Sequence, residues 1–352
     1  MTTTTGNAPS AKGRPLSRFP GYDPGAPPLE ITDLRVAFAD RAGRPGAGSV
    51  VVDGVSYRTA PGRTLAVVGE SGCGKSLTAR AVMGILPRGA RVTGGTIRLH
   101  GIDLLGLDQR ALAQIRGRHI SMIFQDALSA LNPVLPVGFQ IAEVFRAHGE
   151  LTRRQADRAA VEMLDRVRIP EAARRSGHYP HQFSGGMRQR VMIAMALALT
   201  PEVVIADEPT TALDVTVQAQ IMELLADLQA EHAISLVLIS HDMGIVANAA
   251  DSVAVMYAGR VAEQASAEDL YGRPAHPYTR ALLDAIPRRG SRGRALNVLQ
   301  GAPPDPADLP DGCTFRPRCP LAGDACRTAP PHHAVGPRHT SGCHNWKEVV
   351  GG

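Results

Sequence analysis

Short apolar runs of the kind that pack as strands occur at residues 34–38, 50–56 and 64–68, and the Gly/Pro-rich stretch 41–49 between the first two predicts a hairpin loop. The pattern then changes. The third run passes into a glycine-rich segment and on into a helical stretch over 76–86, which Pro87 closes. Strand patterns return at 95–100 and 120–124, while the residues from 128 to about 182 carry helical spacing and predict an inserted helical subdomain over about 128–190. Residues 191–199 are apolar throughout and predict a buried helix closed by Pro201; residues 203–206 predict a buried parallel strand. A helix at 215–231, a strand at 235–240, a short helix after His241 and a strand at 252–257 then alternate as in βαβ units of a mostly parallel sheet. From Ala285 onward Pro, Gly and Arg dominate, so 286–352 is expected to be a separate small module after a main domain over 29–285. Residues 1–28, rich in Thr, Gly and Pro, predict a disordered tail.

Composition narrows the class. With 352 residues, 44% of them apolar, the chain can bury a large core. The net charge of +5 is modest and the Lys and Arg residues are scattered, which argues against a nucleic-acid footprint and leaves a basic face toward lipid headgroups open. The start lacks the basic and apolar regions of a secretory signal, and the longest apolar run, at 191–199, is half of the roughly 20 residues a membrane span needs. Any membrane role is therefore expected to come through partners. Five cysteines, four of them crowded near the C-terminus, are unlike a disulfide-stapled secreted domain and fit a reducing cytosol.

The glycine segment has the form G-x-x-x-x-G-K-S: Gly69, Glu70, Ser71, Gly72, Cys73, Gly74, Lys75 and Ser76, with Leu77 next in the helix. Placed between a strand and a helix, such a loop turns backbone N–H groups toward phosphate oxygens. Lys75 then reaches the terminal phosphates and the Ser76 hydroxyl reaches Mg²⁺. Asp207 and Glu208 follow a buried strand, at the edge where α/β sheets bind ligands. Asp207 suits a Mg²⁺ partner, and Glu208 suits the group that orients and polarises the attacking water. His241 follows the 235–240 strand and can contact a γ-phosphate; Gln125 follows the 120–124 strand and can sense nucleotide, Mg²⁺ or water. Singly, a histidine or glutamine at a strand end is more often structural, and the ordered set carries the argument.

With Phe183, Ser184, Gly185, Gly186, Met187, Arg188 and Gln189 added, the chain resembles the ABC ATPases, whose signature LSGGQ appears here as FSGGM. The order of P-loop, Gln125, signature, Asp207, Glu208, the loop 212–214 and His241 is that family's order, and the resemblance extends from about residue 29 to the C-terminus. It implies an α/β P-loop ATPase core with an antiparallel β subdomain and the inserted helical subdomain. It also implies two subunits set head to tail, so that Ser184, Gly185 and Gly186 of one, with Asp214, face the phosphate held by the other. Phe38, after the first strand, stands either to stack on adenine or to sit in the core. The sequence His178-Tyr179-Pro180-His181-Gln182, the run His276-Pro277-Tyr278 and the C-terminal cysteines resemble the oligopeptide/dipeptide importers, a subfamily that includes nickel importers. The resemblance implies as partners two integral permeases, a second ATPase subunit, favoured as a paralogue, and an extracytoplasmic solute-binding protein, with the chain on the cytoplasmic membrane face. A soluble ABC ATPase of DNA repair or translation would bring coiled-coil insertions or a second core, and a catalytically silent subunit would not need Glu208 and His241.

Cys313, Cys319, Cys326 and Cys343 are spaced C-x5-C-x6-C-x16-C in a segment too short to build a core, which needs a staple. Four thiolates can take zinc or an iron–sulfur cluster. The missing C-x2-C knuckle counts against zinc, the subfamily resemblance implies a [4Fe-4S] cluster, and free or disulfide-linked thiols remain the third option. Cys73 is read as a compact residue that fits the loop, the alternative being a low-pKa thiol that makes activity oxidation-sensitive.

Overall fold

The computed structural model describes residues 15–39, 48–149, 151–286 and 299–351. β1 (Leu29–Phe38) and β2 (Val50–Arg58) pair antiparallel, as the pattern predicts, although β1 starts five residues before the expected run. Of the loop expected at 41–49, residues 41–47 lie outside the described residues. β3 (Thr64–Val68), buried at every position, leaves this sheet for another and leads into α1 (Lys75–Val82). β4 (Ala90–Leu99) and the two-residue β5 (Ile102–Asp103) complete a four-stranded antiparallel sheet in the order β2-β1-β4-β5.

The second sheet holds β3 at its centre. After α2 (Gln109–Ile115) come β6 (Ile120–Ile123), β7 (Val203–Asp207), β8 (Ser235–Ser240) and β9 (Ser252–Tyr257), which run parallel in the order β9-β3-β8-β7-β6. Helices cover both faces, so these strands are apolar at nearly every residue instead of alternating. β10 (Arg260–Ser266) turns back antiparallel on β9.

Between β6 and β7 lie α3 (Ala127–Ala130), α4 (Val137–Ala147), α5 (Arg153–Arg166), α6 (Ala172–Arg175) and α7 (Gly185–Leu197), the helical subdomain. Its apolar positions do not form a core of their own. Ile141, Leu164 and Phe183 share one buried cluster with Ile193 on α7 and with Val204 and Leu238 of the central sheet. Each fully buried Leu or Ile contributes about 1.5–3 kcal/mol, so packing through α7 ties the subdomain to the sheet. α8 (Val215–His232), α9 (Met243–Ala249), α10 (Ala267–Gly272) and α11 (Pro277–Asp284) follow. Glu202, just before β7, joins the two sheets: it lies 2.9 Å from His119 Nδ1 and 2.8 Å from His100 Nε2. Hydrogen bonds from these two rings hold its carboxyl down at about 2.

Two expectations are corrected. Residues 15–28 are ordered: Leu16 is buried, and Phe19 and Tyr22 pack against the same core as β1 and β4. Three apolar side chains at three-residue spacing outweigh the Pro and Gly around them; residues 1–14 lie outside the described residues. The C-terminal segment is also no separate module. β12 (His339–Ser341) pairs antiparallel with β10, β11 (His333–Gly336) pairs with β12, and α12 (Trp346–Gly351) follows, so the central sheet grows to eight strands. Phe315 is buried against Tyr257 and Tyr278, with ring centroids 5.1 and 5.4 Å away.

A wholly buried pair fastens this seam. His339 Nε2 on β12 lies 2.7 Å from Glu263 Oε1 on β10, and the same oxygen accepts a bond from the Ala275 N–H at 2.7 Å. Removing one partner leaves the other polar group buried, at a cost of about 3–5 kcal/mol. His339→Ala is therefore expected to release the segment after residue 299 to protease under conditions where the wild-type chain resists. Limited proteolysis read by mass spectrometry, beside a denaturant titration, checks this.

Candidate functional site

The C-terminal ends of β3, β6, β7 and β8 meet along one edge of the central sheet; β3 runs into the glycine loop, and Gln125, Glu208 and His241 follow the other three within two residues. After β3 the chain turns through Gly69, where φ is +153° and a Cβ would meet the Met256 carbonyl oxygen at 2.2 Å. Only glycine passes there. Gly74, at φ +99°, supplies the left-handed turn that starts α1. Lys75 lies buried with its ammonium folded back on the loop, donating to the Gly69 carbonyl at 2.7 Å and the Glu70 carbonyl at 2.9 Å.

Ser76 Oγ donates to Asp207 Oδ1 at 2.7 Å, joining the P-loop to the end of β7. Asp207 is buried, and that burial pushes its carboxyl up, with the neighbouring Glu208 charge adding to the rise. The Ser76 hydrogen bond and the Arg80 and Lys75 charges pull it back. A carboxylate so placed favours a cation beside it.

Glu208 takes a left-handed φ of 46°, a strained conformation for a side chain of this size. Its carboxylate faces the cleft and gathers three neighbours. Gln125 Nε2 and Thr211 Oγ1 each donate to Oε2 at 2.9 Å, and His241 Nδ1 lies 3.3 Å from Oε1. Gln125, Glu208 and His241 thus come together from behind three adjacent strands. They line a cleft of about 720 Å³ with Phe38, Val51, residues 69–72 and 74–77 of the loop, and Met243. Phe38, half-buried, opens on this cleft instead of being lost in the core. Cys73 and Asp207 stand behind the lining.

Ser184, Gly185, Gly186 and Asp214 are not among the lining residues. Ser184 Oγ caps α7 by accepting from the Met187 N–H at 3.4 Å, and Asp214 Oδ1 caps α8 by accepting from the Val217 N–H at 2.9 Å. The two caps are neighbours: a Cβ on Gly186 would meet Val217 Cγ1 at 2.5 Å. Four further contributors escaped sequence reasoning. Thr211 bonds Glu208, Arg80 lines the cleft, and Tyr278 and Arg318 hold Glu70 from behind. For Thr211 the signal was present, three residues past Glu208; for the others only the fold supplies it.

Among the described residues, no group of three or more His, Cys, Asp or Glu side chains converges closely enough to hold a metal ion, and no helix is long and apolar enough to cross a membrane. The first statement covers Cys313, Cys319, Cys326 and Cys343, expected as cluster ligands, whose thiols are free. Burial raises Cys319 to about 11 and Cys343 to about 12; charge on Cys313 and Cys326 adds to both, and charge on Cys319 adds to Cys343.

Residues 52–211 match the ABC transporter family, and residues 262–326 match the oligopeptide/dipeptide transporter C-terminal region. The chain is 48% identical over 315 residues to the oligopeptide transport ATP-binding protein OppD of Salmonella typhimurium, covering 90% of this chain and 92% of that protein. It is 46% identical over 317 residues to the dipeptide transport ATP-binding protein DppD of Bacillus subtilis, covering 90% and 93%. Among solved structures, a dimeric ATP-binding cassette in a post-hydrolysis state with ADP and Pi superposes with a TM-score of 0.59 at 26% identity, over 68% of this chain and 98% of that one.

Cys73 bears on the oxidation question. Its Sγ sits 3.8 Å from Lys75 Nζ, whose charge lowers the thiol's pKa, yet burial outweighs that charge and the net direction is up. A raised pKa leaves less thiolate near neutrality, and thiolate is the reactive form. Alkylation of Cys73 by iodoacetamide in the folded protein is therefore expected to be slow at neutral pH and to accelerate only above the ordinary thiol range, as peptide mapping by mass spectrometry will read.

Proposed function

We propose, for a chain that belongs to the ABC transporter family and is an ATPase of its oligopeptide/dipeptide branch, that ATP binding and hydrolysis in the cleft drive peptide uptake across the membrane. The observation that carries the reading is the convergence of the P-loop, Gln125, Glu208 and His241 on one cleft. Its shape and charge suit a nucleoside triphosphate: loop N–H groups and Lys75 for the phosphates, Phe38 for the base.

In this reading Glu208 takes the proton of the attacking water, which Gln125 helps to place, while His241 holds the γ-phosphate against that carboxylate. Lys75 exchanges its loop carbonyls for phosphate oxygens. Mg²⁺ in nucleotide sites takes one or two carboxylates and keeps water and phosphate oxygens as its other ligands, so Asp207 and Ser76, with Gln125 near, are donors of the right kind. When bound, the ion neutralises charge on the phosphates. Ser184, Gly185 and Gly186 act on the nucleotide of a second ATPase subunit, with Asp214 at the same interface; support comes from their exclusion from this chain's own cleft. Two permeases, a solute-binding protein and attachment to the cytoplasmic membrane face complete the assembly.

A [4Fe-4S] cluster at Cys313, Cys319, Cys326 and Cys343 is the finer part of the proposal. Its support is that the Cys313 N–H donates to the Cys326 carbonyl at 3.0 Å and that Cys313 and Cys319 pack against the same buried cluster as Phe315. The missing C-x2-C knuckle counts against zinc.

Glu208→Gln keeps the side chain's shape and removes its basicity. Turnover of ATP by the assembled transporter is expected to fall at least about 100-fold while ATP still binds; activity near wild type would remove the assignment. For the cysteines, anaerobically purified protein is expected to be brown and to contain iron and acid-labile sulfide. Stoichiometric zinc, or neither metal, would refute the cluster.

A further inference from the structure

Glu70 is the second residue of the P-loop, a position the motif leaves free, yet every polar group it carries is engaged. Its carbonyl accepts from Lys75 Nζ at 2.9 Å, and its N–H donates to the Tyr278 hydroxyl of α11 at 2.9 Å. Arg318 holds both carboxylate oxygens, with one guanidinium nitrogen 2.6 Å from Oε2 and the other 2.9 Å from Oε1. Lys75 within the loop and two distant parts of the chain, Tyr278 and Arg318, thus fix one loop residue.

Arg318 is itself fully committed. Its Nε donates to the Gln300 carbonyl at 3.0 Å, one terminal nitrogen also reaches the Tyr257 hydroxyl at 3.3 Å, and the guanidinium lies over the Tyr257 ring. The side chain is 5% exposed, so water screens this fork poorly and the pair is stronger than a surface ion pair. It sits between Phe315, wedged against Tyr257 and Tyr278, and Cys319. Phe315 supplies the apolar contact that docking requires. The charged fork beside it spends its geometry on the nucleotide loop.

We propose that Arg318 is a positioning residue for the P-loop: through Glu70 it sets how tightly this chain holds ATP, and so links nucleotide affinity to the seating of the C-terminal cysteine segment. The proposal rests on the ATPase reading above. A loop released from the fork samples conformations that do not bind, and apparent affinity falls by the fraction of binding-competent loop. The chemistry at Glu208 is untouched, so the effect belongs to KM and not to kcat.

The test uses the transporter assembled with its permeases in lipid. Arg318→Met is expected to raise KM for ATP roughly tenfold with kcat within about twofold of wild type. Arg318→Lys should recover little, because an ammonium cannot grip both oxygens. Glu70→Gln should give the same shift, and the double variant should be no worse than either single, since the two side chains act as one unit. Thermal midpoints of the variants supply the control. Lowered midpoints with KM unchanged would make the fork a mere fold anchor and overturn the proposal, as would additive KM effects in the double variant. If Arg318→Met does not fold, Arg318→Lys takes its place, alone and combined with Glu70→Gln. A wild-type assembly that neither binds nor cleaves ATP would sink the ATPase reading beneath, which is a different failure from an unmoved KM.

Discussion

In a parallel sheet, strands that pair in register end at the same edge, and whatever follows them emerges side by side. β6, β7 and β8 obey this closely: Ile123 pairs with Ala206, and Asp207 pairs with Ile239. Gln125, Glu208 and His241 follow those positions by one or two residues, so one ladder of backbone hydrogen bonds fixes their separation. The Glu208 N–H donates to the Ile239 carbonyl at 3.0 Å and continues the ladder one step beyond the strand. A slip of one residue in β7 would send Asp207 outward and Glu208 into the core, exchanging their environments. Because the runs before these residues are apolar on both faces, what resists that slip is the cost of burying the Glu208 carboxylate.

Burial then divides the labour between adjacent carboxylates. Asp207 stays behind the cleft wall with a Ser76 hydrogen bond, and burial disfavours its charge. Glu208, swung forward by its left-handed backbone, meets three polar side chains at the cleft. In the proposed reading two acids of similar chemistry thereby take different tasks, one beside a cation and one with a proton. Lys75 completes the balance. Its ammonium rests on two neutral carbonyls, partners that phosphate oxygens, being charged, can outcompete.

What was legible in the sequence is what short spacing encodes. The P-loop glycines, the acids after 203–206 and His241 each declare themselves within ten residues of a strand, because strand direction alone carries them to the shared edge. Legibility fails where the partner is far along the chain. β12 is three residues long and gains its place from β10, through Glu263 and His339, 76 positions apart. The ordering of 15–28 rests on Leu16, Phe19 and Tyr22 meeting a core built from β1 and β4, which no average over a Pro-rich stretch can register. Arg318 reaches Glu70 across 248 positions, and nothing local distinguishes it from the other arginines around it.

The placement of the Ser184 to Gly186 group carries one more consequence. Ser184 opens α7, a 13-residue helix packed into the same cluster as the sheet, so these residues cannot swing toward the P-loop of their own chain without dismantling that core. Asp214 and the glycines lie against each other through Val217, while Val215 beside them is 82% exposed. In the proposed reading, an exposed valine at the start of α8, beside the start of α7, suits a surface that another subunit's nucleotide covers. In that reading, the packing that ties the helical subdomain to the sheet leaves each chain with half of a site. Under the ATPase reading, nucleotide must then be the bond between subunits, and cleaving it the way they part.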